Sequence, residues 1–290
     1  MSVLDKLMSQ RQHETPENEA QPRLNDTTQL RLFNVKALTD LVYEHVNHEA
    51  AEISVIIPLY NYANYIVECL ESVVDQDTHP LSVVVIDDCS SDGGGEVAKN
   101  FLAEHRDRFS TSRVIRHRRN QGLAMARNSG IAWGSEPFVF MLDADNRIRP
   151  PALSRLLEAL IASDAEFSYS QLYLFGSQKG VGNSDVWDPE RLIWGNYIDA
   201  TALIARQALL SVGGYHLSAV EEGWEDFELW CRFAEAGYCG VYLPELLCEY
   251  RVHESSMLRT RTDIQMKTLM LEMAFRHPAL FGPSIPTLRP

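Results

Sequence analysis

The chain has 290 residues, of which 45% are hydrophobic and 23% are charged, a balance typical of a soluble globular protein with a sizeable core. It carries 26 Lys and Arg against 40 Asp and Glu, which gives a formal net charge of −14. We therefore expect no general binding to nucleic acid, which needs cations to neutralise phosphates.

The N-terminal segment is polar and rich in Gln, Glu, Asn, Asp and Pro. Because it has little apolar surface to bury, we predict that residues 1–28 are disordered. It lacks the apolar stretch of a secretory signal, and no apolar run in the chain reaches the roughly 18 residues that span a bilayer. The five cysteines include no C-x-x-C pair, and scattered thiols favour a reducing compartment. We expect a cytoplasmic protein, with peripheral contact to the inner face of the membrane left open.

Apolar residues return after this segment at Leu38, Leu41, Val42 and Val46, near helical spacing. The pattern predicts an amphipathic helix over residues 29–50 that packs on the main domain. A docking helix for a partner is the alternative.

Strand and helix patterns alternate in the following part of the chain. Such alternation predicts an α/β fold with a mostly parallel central sheet flanked by helices. A Met-rich stretch near helical spacing follows, and it predicts a helical C-terminal extension over residues 256–290. That stripe favours packing, with contact to a lipid acceptor or a membrane as the alternative. The predicted strands are 53–58, 83–86, 113–116 and 138–142, and the predicted helices are 64–75, 96–105, 123–132 and 150–162.

Acidic residues directly follow two of the predicted strands: Asp87 and Asp88, then Asp143 and Asp145. In sheets of this kind ligands collect beyond the carboxyl ends of the strands. The second pair could share a Mg²⁺ or Mn²⁺ ion, which prefers oxygen ligands and takes some of them from phosphate and water. The alternatives are plain solvation for the second pair, and a helix cap or hydrogen bonds to a nucleoside for the first.

A basic stretch stands out in this acidic chain. It predicts either a local anion-binding patch or a solvated surface turn. Its members are Arg113, Arg116, His117, Arg118 and Arg119.

A series of sequence blocks then follows in a fixed order. The blocks are SVIIPLYN (54–61), VIDDCSSD (85–92), NQGLAMARNSG (120–130), LDADN (142–146), GGY (213–215), GWEDFELW (223–230) and YRVH (250–253). Together they resemble family 2 glycosyltransferases, and the resemblance covers residues 53–253. It implies one glycosyltransferase domain over residues 51–255.

The resemblance also implies a glycosyltransferase-A type fold and inverting transfer of one sugar from a nucleotide-diphosphate sugar. The acceptor would be a glycan, a lipid-linked or another hydroxyl compound, and Mn²⁺ or Mg²⁺ would sit on the diphosphate. The implied contacts are Pro58, Tyr60 and Asp88 to nucleobase and ribose, Arg127 near the diphosphate, and Asp143 to ribose or donor sugar. The implied metal ligands are Asp145 and His253, and the implied catalytic base is Asp226.

Asp226 also stands where an apolar helix should begin, and the free N–H groups of a helix start favour an ionised carboxylate. Glu225 is the rival base, and a plain helix cap is the other reading of Asp226. Tyr62 occupies a position where many family members have an acidic residue, and we assign it no role. No Q-x-x-R-W block follows Asp226, which favours transfer of a single sugar over polymerisation.

Two other functions stay open. A nucleotidyltransferase that makes nucleotide sugars would normally carry a Gly-rich, basic loop after the first strand, where this chain has LYNY at 59–62. A non-catalytic sugar-binding protein of the same fold is the other, although Asp145 and Asp226 are intact. The sequence names neither the donor nor the acceptor.

Overall fold

The computed structural model describes residues 35–47, 49–78, 80–217, 223–253 and 263–282. The disorder predicted for residues 1–28 lies outside these ranges. The predicted segments 29–50 and 256–290 lie within them only in part.

A single mixed sheet organises the described residues. Its strands follow the order β1-β4-β3-β2-β5-β9-β7-β10-β6, and β8 pairs with β7. Strands β4, β3, β2 and β5 are parallel neighbours, whereas β9 runs antiparallel to both β5 and β7. The strands are β1 (Thr39–Val46), β2 (Ile53–Leu59), β3 (Leu81–Asp87), β4 (Phe109–His117), β5 (Phe138–Met141), β6 (Arg147–Ile148), β7 (Phe167–Gly176), β8 (Gly180–Val181), β9 (Ala202–Ala205) and β10 (Gly240–Val252).

Helices cover both faces of the sheet, which confirms the predicted α/β fold. Strand β2 is buried along its whole length and sends alternate side chains to two cores. Val55 and Ile57 join the core under α1, α2 and α4, while Ile56 joins the core under α3 and α6. The helices are α1 (Ile66–Val74), α2 (Gly94–Glu104), α3 (Leu123–Trp133), α4 (Ala152–Ala162), α5 (Arg206–Ser211), α6 (Glu225–Glu235), α7 (Asp263–Arg276) and α8 (Pro278–Phe281).

The helix predicted over residues 29–50 is wrong for residues 39–46, which form strand β1 and pair antiparallel with β4. The pairing shifts between Leu41 and Tyr43, and a bulge of this kind interrupts the two-residue alternation of a strand. Leu41 and Val42 are therefore both exposed, while Tyr43 packs on the core. Because the alternation is interrupted, the spacing of the apolar residues resembles that of an amphipathic helix.

The surface turn predicted for the basic stretch is wrong for Arg113, Arg116 and His117, which lie on strand β4, whereas Arg118 and Arg119 follow the strand in a bend. Three arginines of the stretch pair with carboxylates of the neighbouring strands. Arg113 binds Glu44 at 2.7 Å, Arg116 binds Asp87 at 2.8 Å and Arg118 binds Asp40 at 2.9 Å. These cations thus join three strands.

Helix α3 lies unusually close to the sheet at Gly130. A Cβ atom at this position would overlap with Ile56 Cγ2 and would lie 2.9 Å from Ile86 Cδ1. The missing side chain therefore lets α3 rest directly on β2 and β3.

Helix α7 falls within the predicted C-terminal extension. Met273 is fully buried in the core under α3 and α6, as the packing interpretation of the Met-rich stripe predicts. None of the helices in the described part of the chain is long and apolar enough to cross a membrane.

Candidate active site

A cavity of about 580 Å³ opens at the carboxyl ends of β2, β3 and β5. Parallel strands bring these ends to one edge of the sheet, so residues far apart in the sequence meet there. All the site residues proposed from the sequence line this cavity: Pro58, Tyr60, Asp88, Arg127, Asp143, Asp145, Asp226 and His253.

The turn after β2 is held in place by Asn61. Its backbone adopts a left-handed conformation with φ of 57°, which Asn tolerates better than most residues. Its side-chain oxygen accepts hydrogen bonds from the Ser91 N–H at 2.9 Å and the Ser91 hydroxyl at 3.2 Å. The turn leaves Tyr60 about half exposed at the rim of the cavity.

Asp145 and His253 form a close pair, with 2.8 Å between Asp145 Oδ2 and His253 Nε2. The imidazole stacks on Tyr62 at 5.9 Å and meets Tyr65 edge-on at 5.2 Å. Burial and the nearby charge of Asp143 raise the pKa of Asp145 to about 6, although the contact with His253 works in the opposite direction. Tyr62, to which we assigned no role from the sequence, helps to orient the histidine through this stacking.

The donor set of this pair fits a hard divalent cation, since it offers one carboxylate and one imidazole. Among the described residues no group of three or more His, Cys, Asp or Glu side chains could hold a metal ion. Divalent cations bound by one or two protein side chains usually take further ligands from phosphate and water.

Arg127 lies fully buried between two carboxylates. Its guanidinium binds Asp143 Oδ1 and Glu225 Oε1, each at 2.9 Å. Burial lowers the pKa of Arg127, but the charges of Asp143 and Glu225 outweigh this effect and raise it overall. The arginine thus ties the turn after β5, which carries Asp145, to the helix that carries Asp226.

Asp226 lies in the first turn of α6. Its Oδ2 accepts a hydrogen bond from Asn196 Nδ2 at 3.0 Å, and its Oδ1 accepts one from the Phe227 N–H at 2.8 Å. Burial, followed by the charges of Glu225 and Asp199, raises the pKa of Asp226 to about 8. Burial and the two neighbouring acids thus act against the helix start, which was expected to keep this carboxylate ionised.

Asp199 is a residue that the sequence analysis missed. It lines the cavity just before β9, and its Oδ1 accepts hydrogen bonds from Thr201 N–H at 2.8 Å and Thr201 Oγ at 2.5 Å. Burial and then the charge of Asp143 raise the pKa of Asp199. No motif surrounds Asp199 in the sequence. Its place in the cavity becomes evident only from the antiparallel direction of strand β9.

The sequence profile described as Glycosyl transferase family 2 matches residues 54–204, which is more than half of the 290 residues. The chain belongs to glycosyltransferase family 2. This glycosyltransferase is 28% identical to GlyA of Streptococcus pneumoniae serotype 4 over 247 residues, which cover 78% of the chain and 34% of GlyA. It is 24% identical to TuaG of Bacillus subtilis, named for teichuronic acid biosynthesis, over 74% of the chain and 85% of TuaG. The chain thus spans about a third of one relative and most of the other.

Solved structures share the fold of this glycosyltransferase. The mannosyltransferase PcManGT from Pyrobaculum calidifontis, solved with GDP-Man and Mn²⁺, has a TM-score of 0.62 at 20% identity, over 90% of this chain and 76% of PcManGT. Residues 1–349 of S. aureus TarS, solved with UDP-GlcNAc, have a TM-score of 0.62 at 20% identity, over 78% of this chain and 67% of TarS. The fold is therefore of the glycosyltransferase-A type.

Proposed function

We propose that this family 2 glycosyltransferase moves one sugar, with inversion, from a nucleotide-diphosphate sugar to a hydroxyl group of a glycan acceptor. The observation that carries the proposal is that the Asp145–His253 pair and Asp226 line one cavity. Arg127 connects the two groups, because it binds Asp143 near the pair and Glu225 beside Asp226. The nucleotide sugars bound to PcManGT and TarS and the name of TuaG support the proposal.

Pro58, Tyr60 and Asp88 would hold the nucleobase and ribose on the β2 and β3 side of the cavity. Asp143, oriented by Arg127, would accept a hydrogen bond from a hydroxyl group of the ribose or the donor sugar. Asp145 and His253 would hold Mn²⁺ or Mg²⁺. A bound cation neutralises the charge that develops on the leaving diphosphate.

Asp226 would take the proton of the acceptor hydroxyl group. At the same time the hydroxyl oxygen would bond to the anomeric carbon, and the bond between that carbon and the diphosphate oxygen would break. A general base works best when its pKa lies near the operating pH, and the pKa of about 8 meets this condition. The Asn196 amide would orient the carboxylate for this transfer.

A donor screen tests the proposal directly. The protein is incubated with UDP- and GDP-sugars and Mn²⁺, and slow hydrolysis of the donor is followed by the release of nucleoside diphosphate. Such release supports the transferase. Chemistry that consumes or forms pyrophosphate would instead support a nucleotidyltransferase, and binding without turnover would support a non-catalytic sugar-binding protein.

The pH dependence of turnover gives a second test, which concerns only the general base. Asp226 must be ionised to accept a proton, so we expect turnover to fall as the pH drops below about 8. The charge of Asp199 raises the pKa of Asp226, so Asp199→Asn should move this acid limb to lower pH. An Asn side chain keeps an oxygen for the hydrogen bonds from Thr201.

The measurement is the pH profile of kcat for the wild type and Asp199→Asn at saturating donor. Glu158→Gln, a change in an exposed ion pair with Arg155 on α4, serves as the matched control and should leave the limb in place. An acid limb that does not move in Asp199→Asn would contradict the assignment of Asp226.

A further inference from the structure

A buried hydrogen-bonded chain lies behind the nucleotide side of the cavity. His117, at the end of β4, is fully buried, and its Nδ1 lies 2.6 Å from Asp88 Oδ1. Its Nε2 lies 2.7 Å from the hydroxyl oxygen of Ser129, which is also fully buried in α3. The chain therefore joins the ends of two strands to a helix.

The arrangement of Ser129, His117 and Asp88 has the residue types of a nucleophilic triad, but its geometry excludes that role. A serine nucleophile must be reachable by the substrate, and the Ser129 side chain has no exposed surface. Ser129 is therefore not a nucleophile, and the hydrogen bonds of the three residues stay within the protein.

The direction of the hydrogen bonds follows from their donors. A neutral imidazole has one N–H donor and one acceptor nitrogen, and which is which is assigned from the hydrogen-bond network. With the hydrogen on Nδ1, His117 donates to the Asp88 carboxylate, which has only acceptors, and Nε2 accepts the hydroxyl hydrogen of Ser129. The carboxylate of Asp88 thus sets the tautomer of His117, and the Ser129 hydroxyl, which can donate or accept, holds the other ring nitrogen.

Asp88 in turn holds the loop that begins α3. Its Oδ1 also accepts a hydrogen bond from the Gln121 N–H at 2.8 Å, and its Oδ2 accepts one from the Gly122 N–H at 2.8 Å. Gly122 adopts φ of 85°, which favours glycine and turns the chain into the helix. Three donors from two elements thereby fix one carboxylate.

The loop matters because Asp88, Asn120 and Gly122 all line the cavity. We propose that His117 is a positioning residue for the donor nucleotide: it fixes the Asp88 carboxylate and, through it, the loop at residues 120–122, while Ser129 fixes His117. His117 does not line the cavity, so it acts without touching the ligand. The inference rests on the proposed function for the identity of that ligand.

Two substitutions of His117 distinguish the contributions of the two ring nitrogens. An Asn side chain carries its NH₂ donor near the place of Nδ1, whereas a Gln side chain carries it near the place of Nε2. His117→Asn therefore keeps the donor to Asp88, and His117→Gln loses it. His105→Gln is the control, since His105 contacts the Phe101 carbonyl near the end of α2.

The first readout is the affinity for UDP and GDP with Mn²⁺, measured by calorimetry. We expect His117→Gln to weaken binding of the preferred nucleotide about tenfold, the scale of one hydrogen bond to a charged group. We expect His117→Asn and His105→Gln to stay within about twofold of the wild type, and kcat at saturating donor to change little in any of them. Equal losses of melting temperature in both His117 variants with unchanged nucleotide affinity would show a merely structural role and would overturn the proposal.

The second readout needs no ligand. Hydrogen exchange at the Gln121 and Gly122 amides should accelerate in His117→Gln and stay near the wild-type rate in His117→Asn. Unchanged exchange in His117→Gln would overturn the proposal even if nucleotide affinity fell. If the wild type binds no nucleotide while these amides respond as expected, the proposed function fails and the role of His117 in holding the loop stands.

Discussion

Asp226→Asn should bind the donor nearly as well as the wild type and lose turnover by about 10²–10⁴-fold, the usual contribution of a general base. The substitution keeps the size of the side chain and one oxygen, which can still accept the hydrogen bond from the Phe227 N–H. Its NH₂ group takes the place of the oxygen that accepts from Asn196, so the variant loses that hydrogen bond together with the capacity to take a proton. Turnover and melting temperature should be measured together on the same preparation.

Glu225→Gln is the matched control for this experiment, because Glu225 is adjacent and also carries a carboxyl group. Its carboxylate is already used by Arg127 and by the Gly223 N–H at 2.8 Å, so it is poorly placed to receive a proton. We expect a smaller loss of turnover than in Asp226→Asn. If Asp226 merely caps α6, its variant would instead lose about 1 kcal/mol of stability with turnover intact.

Asp145→Ala should lose the part of donor binding that depends on the metal. Changes in the surroundings of a metal ligand typically cost 10–100-fold in affinity, and removal of a ligand should cost at least about as much. Calorimetry with nucleoside diphosphate in Mn²⁺ and in EDTA measures the metal-dependent part directly. Equal affinity of the variant and the wild type in Mn²⁺ would refute the assignment.

His253→Ala is the companion variant for the metal site. Since His253 Nε2 lies against Asp145, loss of the imidazole should raise the Mn²⁺ concentration needed for half-maximal activity. A histidine that only packs between Tyr62 and Tyr65 would lower the melting temperature without moving this concentration.

The part of the site that the sequence predicted well lies at the carboxyl ends of parallel strands. Asp88, Asp143 and Asp145 follow closely after buried apolar strands, and that position alone puts them at one edge of the sheet. The family resemblance added Asp226 and His253, which no local pattern places near them.

The sequence missed the residues whose place depends on strand direction. Asp199 and Asn196 precede β9, which is antiparallel to both of its neighbours, and from there Asp199 lines the cavity and Asn196 binds Asp226. Strand direction is set by tertiary packing, and a four-residue strand carries no sequence signal for it. The same limit explains β1, where a bulge removed the alternation that identifies a strand.

The close contact of Gly130 with the sheet bears on how this enzyme can diverge. Gly130 lies one helical turn beyond Arg127, so the two share a side of α3. Any larger residue would lift that turn of the helix away from Ile56 and Ile86 and carry the guanidinium away from Asp143. Substitutions at the exposed rim around Tyr60 leave this contact untouched, while the depth of α3 stays fixed by a residue without a side chain.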